Sequence, residues 1–243
     1  MSDAGRVALV SGGVRGLGAA MCRQLHARGF RVAATHLHAD EAAAAFARET
    51  DLPVYEWDVS DPDACAQGIR NVENDLGPVD VLVNNAGTNA DRMFHKMTHA
   101  EWDKVIRVDL GSMFNMTHPV IAGMRERGYG RIVNVSSVNA QKGQMGQTNY
   151  CAAKAGVLGF TRALALESAA KGITVNAVAP GYADTRMVEA VPEKVMKQIL
   201  GQVPVGRLAA PEEIARCVTF LAGEDAGFIT GATLSANGGL YMI

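Results

Sequence analysis

The chain has 243 residues, 48% of them apolar, and a formal net charge of -2. This length fits one large domain with a substantial core, and the apolar content excludes a disordered chain. A near-neutral balance without a basic stripe excludes nucleic-acid binding, and the absence of an apolar run of about 20 residues excludes a membrane span.

Strand and helix patterns then alternate along the chain. Strands are predicted at Arg6–Val10, Arg31–Thr35, Val54–Asp58, Val79–Asn84, Arg131–Ser136, Ile173–Val178 and Ala232–Ser235. Helices are predicted at Leu17–Arg28, Ala39–Thr50, Pro62–Leu76, Thr98–Arg127, Tyr150–Ala170 and Pro211–Leu221. Asp40-Glu41-Ala42 and Ser60-Asp61-Pro62 have the acidic and proline residues of helix starts, and Thr98-His99-Ala100-Glu101 has the form of a capping box. The alternation predicts an α/β fold: a single Rossmann-type domain over residues 1–243, with a doubly wound parallel sheet and helices on both faces. The mixed segment 182–204 follows a strand end directly and is read as a lid over substrate. Met1 to Gly5 lacks the basic and apolar regions of a signal peptide. Cys22, Cys65, Cys151 and Cys217 have no CxxC spacing and point to free thiols in a reducing, cytoplasmic compartment. Cys151 is read as packing. His36 and His38 have no third ligand nearby, so no metal site is expected.

Chemistry is concentrated where the predicted strands end. Ser11-Gly12-Gly13-Val14-Arg15-Gly16-Leu17-Gly18 joins the first strand to the first helix. Gly12 can make the turn, Gly16 can let backbone approach a phosphate, and Gly18 can let helix and strand pack closely. That is the context in which a dinucleotide pyrophosphate meets a helix amino terminus, although the GGxxGxG spacing departs from GxGxxG. Asn84-Asn85-Ala86-Gly87 ends the fourth strand with residues small enough for a cofactor to lie against them. Pro180-Gly181 follows the sixth. Ser137 closes the fifth strand, 13 residues before Tyr150, and Lys154 follows four residues later. Positions i and i+4 share a helix face. An ammonium beside a phenol favours its phenolate form, and such a phenol can exchange a proton with a substrate oxygen that a serine hydroxyl also binds. Tyr-x-x-x-Lys alone is a weak signal; the ordered strand-end motifs strengthen it.

In combination, these motifs resemble the short-chain dehydrogenase/reductase family over essentially the whole chain. The stretch Ile132 to Tyr150, the segment Phe94-His95-Lys96-Met97-Thr98, Pro180-Gly181-Tyr182 and the ending Asn237-Gly238-Gly239-Leu240-Tyr241-Met242 resemble its acetoacetyl-CoA reductase subgroup, which belongs to polyhydroxyalkanoate (polyhydroxybutyrate) synthesis. The resemblance implies a ketone reductase in which Ser137, Tyr150 and Lys154 are catalytic. It implies a cofactor held by Gly12, Gly13, Arg15, Gly16, Leu17, Gly18, Asp58, Val59, Asn85, Ala86, Gly87, Tyr150, Lys154, Pro180, Gly181 and Thr185. Thr185 is expected at the carboxamide and Asp58-Val59 at the adenine. The second strand ends in Thr35-His36 without the acid that would bind a ribose 2′-hydroxyl, and Arg15 can reach a 2′-phosphate, with His36 and Thr35 adding hydrogen bonds; NADP(H) is therefore expected.

Substrate contacts implied by the subgroup are Asp91, Lys96, Ser137, Gln144, Met145, Gln147 and Tyr182, with Asp91 and Lys96 at the CoA entrance. The implied partners are a small acyl-CoA substrate and other copies of the chain in a homotetramer. One departure stands out: the family's usual Val-Asn-Leu-like sequence reads Val108-Asp109-Leu110, so Asp109 joins the catalytic set as a potential charge beside Lys154. Asn115 is expected to point elsewhere. The alternatives are reduction of 3-oxoacyl groups on acyl carrier protein and, in another class, a non-catalytic NADP redox sensor.

Overall fold

The computed structural model describes residues 3–38, 41–185 and 193–242. Seven strands form one parallel sheet: β1 (Val7–Val10), β2 (Arg31–His36), β3 (Val54–Glu56), β4 (Val79–Asn84), β5 (Gly130–Val135), β6 (Ile173–Pro180) and β7 (Thr233–Ala236). Their spatial order is β3-β2-β1-β4-β5-β6-β7, and every neighbouring pair is parallel. Strand order reverses direction between β1 and β4, so the segments leaving those strands diverge and open a crevice at their carboxyl ends.

Alternate residues of β1 enter opposite cores. Ala8 and Val10 pack with helices α1 (Gly16–Ala27), α2 (Glu41–Thr50) and α9 (Pro211–Ala222). Val7 and Leu9 pack with α3 (Pro62–Leu76), α5 (Ser112–Arg127) and α7 (Thr148–Ser168). Strands buried on both faces need continuous apolar runs, and β1, β5 and β6 are buried throughout. Asp61 caps α3 by accepting from the Asp63 and Ala64 amides, while Thr98 and Glu101 complete a reciprocal capping box on α4 (His99–Val105). Among the described residues, no helix is long and apolar enough to cross a membrane.

The structure corrects several boundaries. The third strand stops at Glu56, two residues before Asp58, because Asp58 turns to accept from the Ser60 amide at 2.8 Å. The helix expected over Thr98–Arg127 is α4 and α5 joined by a π-helical turn, Ile106–Gly111, which contains Asp109. A π turn carries one residue more per hydrogen-bonded ring than an α turn and re-aims the side chains within it. Hydrophobic spacing does not reveal it. A short helix, α6 (Asn139–Lys142), lies in the stretch between Ser137 and Tyr150, where no element was expected. Within the segment read as a lid, Glu193–Leu200 is helix α8, and just past its end the Val205 amide meets Gly238 O, beyond β7, at 3.1 Å. Residues 186–192 of that segment, like Ala39 and Asp40 of the predicted second helix, lie outside the described residues.

A buried polar ladder ties the sheet to the helix that carries Tyr150. Asn84 donates to Thr117 Oγ1 and Asn134 Oδ1 at 3.2 and 2.9 Å, and Asn134 donates to Thr161 Oγ1 at 2.9 Å. Polar atoms removed from water are costly unless paired, so these pairings favour one register of α5 and α7 on β4 and β5.

Candidate active site

Ser137, Tyr150 and Lys154 come together beyond the carboxyl end of β5. Ser137 Oγ accepts from the Asn139 amide at 3.1 Å, which leaves its hydroxyl hydrogen to be donated elsewhere. Lys154 is 3% exposed, donates to Val135 O at 3.1 Å, and places Nζ 5.7 Å from the Tyr150 ring centroid. Ser136 Oγ donates to Lys154 O at 2.8 Å and locks α7 to the end of β5. The start of α7 is held by Asn149, fully buried, whose amide donates to Ala90 O and Glu101 O at 3.0 and 3.2 Å while its Oδ1 accepts from the Tyr150 amide at 2.8 Å.

Asp109 meets this group from the π turn. It is 0% exposed; Oδ1 accepts from the Thr88 amide at 2.8 Å, and Oδ2 lies 3.4 Å from Lys154 Nζ without an aligned hydrogen bond. Gly87 wedges against both, since a Cβ there would lie 3.2 Å from Asp109 Oδ2 and 3.3 Å from Lys154 Nζ. Burial pushes the Asp109 carboxyl above the ordinary carboxylate range, and the Lys154 charge and the Thr88 amide oppose that only in part. Asn115 faces away and donates to Val59 O at 3.0 Å.

The glycine loop forms a backbone cradle beside the crevice. Gly12 and Gly16 have φ of +63° and +52°, which side chains rarely tolerate. Helix α1 begins after Arg15 with no side-chain cap and no acid in its first turn, an arrangement that suits an anion at its amino terminus. The loop is braced from behind. Ser11 Oγ accepts from the Asn85 and Ala86 amides at 3.0 Å each, Asn85 Nδ2 donates to Ser11 O and Gly12 O at 2.9 and 3.2 Å, and the Gly13 amide donates to Thr35 O at 2.9 Å. Thr35 is buried and braces this loop, so its side chain does not reach a cofactor phosphate. His36 ends β2 with Nδ1 2.8 Å from His38 O. A carbonyl only accepts, so Nδ1 carries the proton and Nε2 is left for other contacts. Thr185 lies against the loop, 3.6 Å from the position of a Gly16 Cβ. Gly181 hugs Asn237, whose Cα a Cβ would approach to 2.8 Å.

Two loops form the opposite rim. Gln147 donates to Asp91 Oδ2 at 2.8 Å and accepts from Asn139 Nδ2 at 2.9 Å, while Gln144 accepts from Lys142 Nζ at 2.9 Å. Lys96 is exposed on a short turn beside Phe94, itself 70% exposed, and Met145 across the rim is 79% exposed. Burial, reinforced by the nearby Asp91 charge, pushes the Tyr182 phenol up, so it stands as a neutral donor. Burial likewise raises the Cys151 thiol, which suits packing and not nucleophilic attack.

Residues 12–241 match the family model described as Enoyl-(Acyl carrier protein) reductase. The chain belongs to the short-chain dehydrogenase/reductase family. It is 65% identical to an acetoacetyl-CoA reductase of Rhizobium meliloti (strain 1021), over 98% of this chain and 99% of that protein. It is 62% identical to the acetoacetyl-CoA reductase of Shinella zoogloeoides over the same shares. A 3-oxoacyl-acyl-carrier-protein reductase of Haemophilus influenzae is 42% identical, again over 98% of this chain and 99% of its own.

This short-chain reductase is thus an oxidoreductase that uses a nicotinamide cofactor, and the cradle fits one. A Cβ at Gly18 would lie 2.1 Å from Gly12 O and 2.8 Å from Asn85 Nδ2. Gly18→Ala is therefore expected to push the loop off Asn85, costing about 1–3 kcal/mol of stability and weakening dinucleotide binding. Thermal unfolding with and without the dinucleotide checks this, and a variant stabilised by the dinucleotide as strongly as the parent would refute it. Sequence reasoning missed three residues that shape the site: Ser11, Asn139 and Asn149. Each is a short polar residue suited to an ordinary turn or strand end; their partners are distant in sequence or set by a local turn, so no spacing marks them.

Proposed function

We propose that this protein reduces 3-oxoacyl-CoA thioesters with NADPH, converting acetoacetyl-CoA to (R)-3-hydroxybutanoyl-CoA in polyhydroxybutyrate synthesis. The observation that carries the reading is full-length similarity to acetoacetyl-CoA reductases together with Ser137, Tyr150 and Lys154 gathered at one strand end. Glycines 12, 13, 16 and 18, Asn85 to Gly87, Pro180-Gly181 and Thr185 would hold the dinucleotide, with Asp58-Val59 at the adenine and Lys154 at the ribose. When bound, the reduced nicotinamide supplies the hydride. Ser137 donates a hydrogen bond to the substrate carbonyl oxygen, and Tyr150 gives that oxygen a proton as negative charge builds on it. The ammonium of Lys154 then stabilises the phenolate left behind. On the rim, Met145 faces the acyl chain, Tyr182 and Gln144 face the thioester and pantetheine, and Lys96 serves a CoA phosphate as a point charge.

Support for NADPH lies in what ends β2: His36 stands where an acid would repel a 2′-phosphate, and Arg15 begins the neighbouring helix. Four unpaired cysteines fit a cytoplasmic setting. A homotetramer is supported by the groove between α5 and α7, where Phe114 is exposed and stacks on His118 at 4.9 Å.

The deciding test is the initial rate with acetoacetyl-CoA, followed by nicotinamide absorbance, with acetoacetyl-acyl carrier protein as a competing substrate. We expect kcat/KM with NADPH to exceed that with NADH by at least about tenfold, and the CoA ester to be preferred. Faster turnover of the carrier-linked substrate would transfer the reading to fatty-acid elongation. No turnover with either substrate and either dinucleotide would overturn it.

A further inference from the structure

On the rim, side-chain hydrogen bonds run from an exposed carboxylate to Asn139, whose backbone amide in turn meets the serine. Asp91 Oδ2 accepts from Gln147 Nε2 at 2.8 Å, Gln147 Oε1 accepts from Asn139 Nδ2 at 2.9 Å, and the Asn139 backbone amide donates to Ser137 Oγ at 3.1 Å. The direction of these bonds is dictated at one end. An ionised carboxylate can only accept, so Gln147 must turn its amide nitrogen toward Asp91. Its oxygen then faces Asn139, which must present Nδ2. One surface acceptor therefore sets the orientation of two amides.

The surrounding backbone makes the chain a rigid connection. The Arg92 amide donates to Gly146 O at 2.8 Å, and Asn149 Nδ2 donates to Ala90 O at 3.0 Å, so bonds on either side of Asp91 fasten the same two loops. Asn139 is buried and opens helix α6 two residues after the serine. With the Asn139 amide directed at Ser137 Oγ, the serine oxygen has one lone pair engaged and its hydrogen is left to point at the substrate oxygen. Gln144 takes no part, since Lys142 holds it.

We infer that Asp91 is a positioning residue for Ser137, acting through Gln147 and Asn139. The inference rests on the reading that Ser137 holds the reacting carbonyl oxygen. It divides the rim into two parts: Asp91, Gln147 and Asn139 hold the serine, while Lys96, Met145 and Tyr182 meet the acyl-CoA.

The test measures kcat and KM for acetoacetyl-CoA at saturating NADPH in Asp91→Ala, Asp91→Asn, Gln147→Ala and Ser137→Ala. Deuterium uptake of the peptide containing Asn139 is measured in parallel without substrate. Asp91 is exposed, so its variants fold, and uptake elsewhere in the chain verifies that. We expect Asp91→Ala and Gln147→Ala to lower kcat about tenfold, with KM within about twofold, because a misplaced positioning group costs rate. The Asn139 amide should exchange faster in both. Asp91→Asn removes the charge but keeps an acceptor, and should recover most of the lost rate.

A raised KM with kcat kept would put Asp91 on the substrate and overturn the relay. Equal losses in Asp91→Asn and Asp91→Ala would assign the effect to charge alone and overturn it too, as would parental kcat or parental exchange at Asn139 in Asp91→Ala. Parental turnover in Ser137→Ala would instead refute the role given to Ser137, and with it the relay's purpose. An inactive Ser137→Ala beside a fully active Asp91→Ala would sink the relay alone.

Discussion

Tyr150→Phe is expected to lower kcat for acetoacetyl-CoA reduction by about 10²- to 10⁴-fold, the usual contribution of a positioned proton donor. The substitution removes one oxygen and keeps the ring near Lys154, whose Nζ is 5.7 Å from the ring centroid. The backbone bond from the Tyr150 amide to Asn149 Oδ1 is unaffected, so α7 starts where it did. Affinity for NADPH, read from quenching of protein fluorescence, should change by less than about threefold, since uniform binding does not depend on the proton donor. The contrast between lost turnover and kept binding separates an enzyme from a protein that only senses the dinucleotide. A variant with parental kcat would remove Tyr150 from the chemistry altogether.

Asp109→Asn is expected to act in the opposite direction and to raise kcat at neutral pH by about three- to tenfold. An ionised carboxylate 3.4 Å from Lys154 Nζ offsets the field that the ammonium exerts on the Tyr150 phenolate. Asparagine has nearly the same shape, can still accept from the Thr88 amide, and carries no charge. The pH dependence distinguishes this from simple repacking. Burial holds the Asp109 carboxyl above the ordinary carboxylate range, so on acidification it takes up a proton earlier than a surface aspartate would. Lys154 is then unopposed in the parent as well. The advantage of the variant should therefore shrink as pH falls and grow as pH rises.

Stability follows the same sign. The folded state holds this proton more tightly than the unfolded chain does, so stability falls as pH rises from about pH 4, the unfolded carboxylate value, through the higher folded value. The contribution is intact below that window and lost above it. Asparagine does not titrate, so the Tm of the variant minus that of the parent should increase with pH. Rates and Tm measured together between about pH 5 and 9 give the answer. A ratio of rates that stays flat across that range would show that the charge on Asp109 has no bearing on turnover.

These expectations depend unequally on sequence and on packing. The seven strands, the glycine loop, Asn85-Ala86-Gly87 and the Tyr150–Lys154 pair were legible because they rest on local rules. Buried parallel strands need apolar runs, a tight turn into a helix needs glycine, and residues four apart share a helix face. Both helix caps at Asp61 and Thr98 were legible for the same reason. The π turn at Ile106–Gly111 was not, because hydrophobic spacing does not register one extra residue in a helical ring. Thr35 was expected at a phosphate but braces the glycine loop, because the Gly12 and Gly13 amides fall within its reach only after β1 and β2 pair.

The sequence by itself thus determined the order of elements, the class of cofactor cradle, and the identity of the groups able to move a proton. Tertiary structure alone decided which of those groups feel one another. Asp109 and Lys154 stand 45 positions apart in the chain, and their charges interact only because α7 packs against the π turn in a place closed to water, where the absence of a side chain at Gly87 lets both groups sit close. Likewise, Asp91 and Gln147 read as two separate substrate contacts in the sequence, and become one connected pair only when two loops from different strand ends are laid side by side. Local pattern carries the periodicity of the backbone. Side-chain charge and hydrogen-bond direction depend on distance, burial and partners, which exist only once the chain has folded.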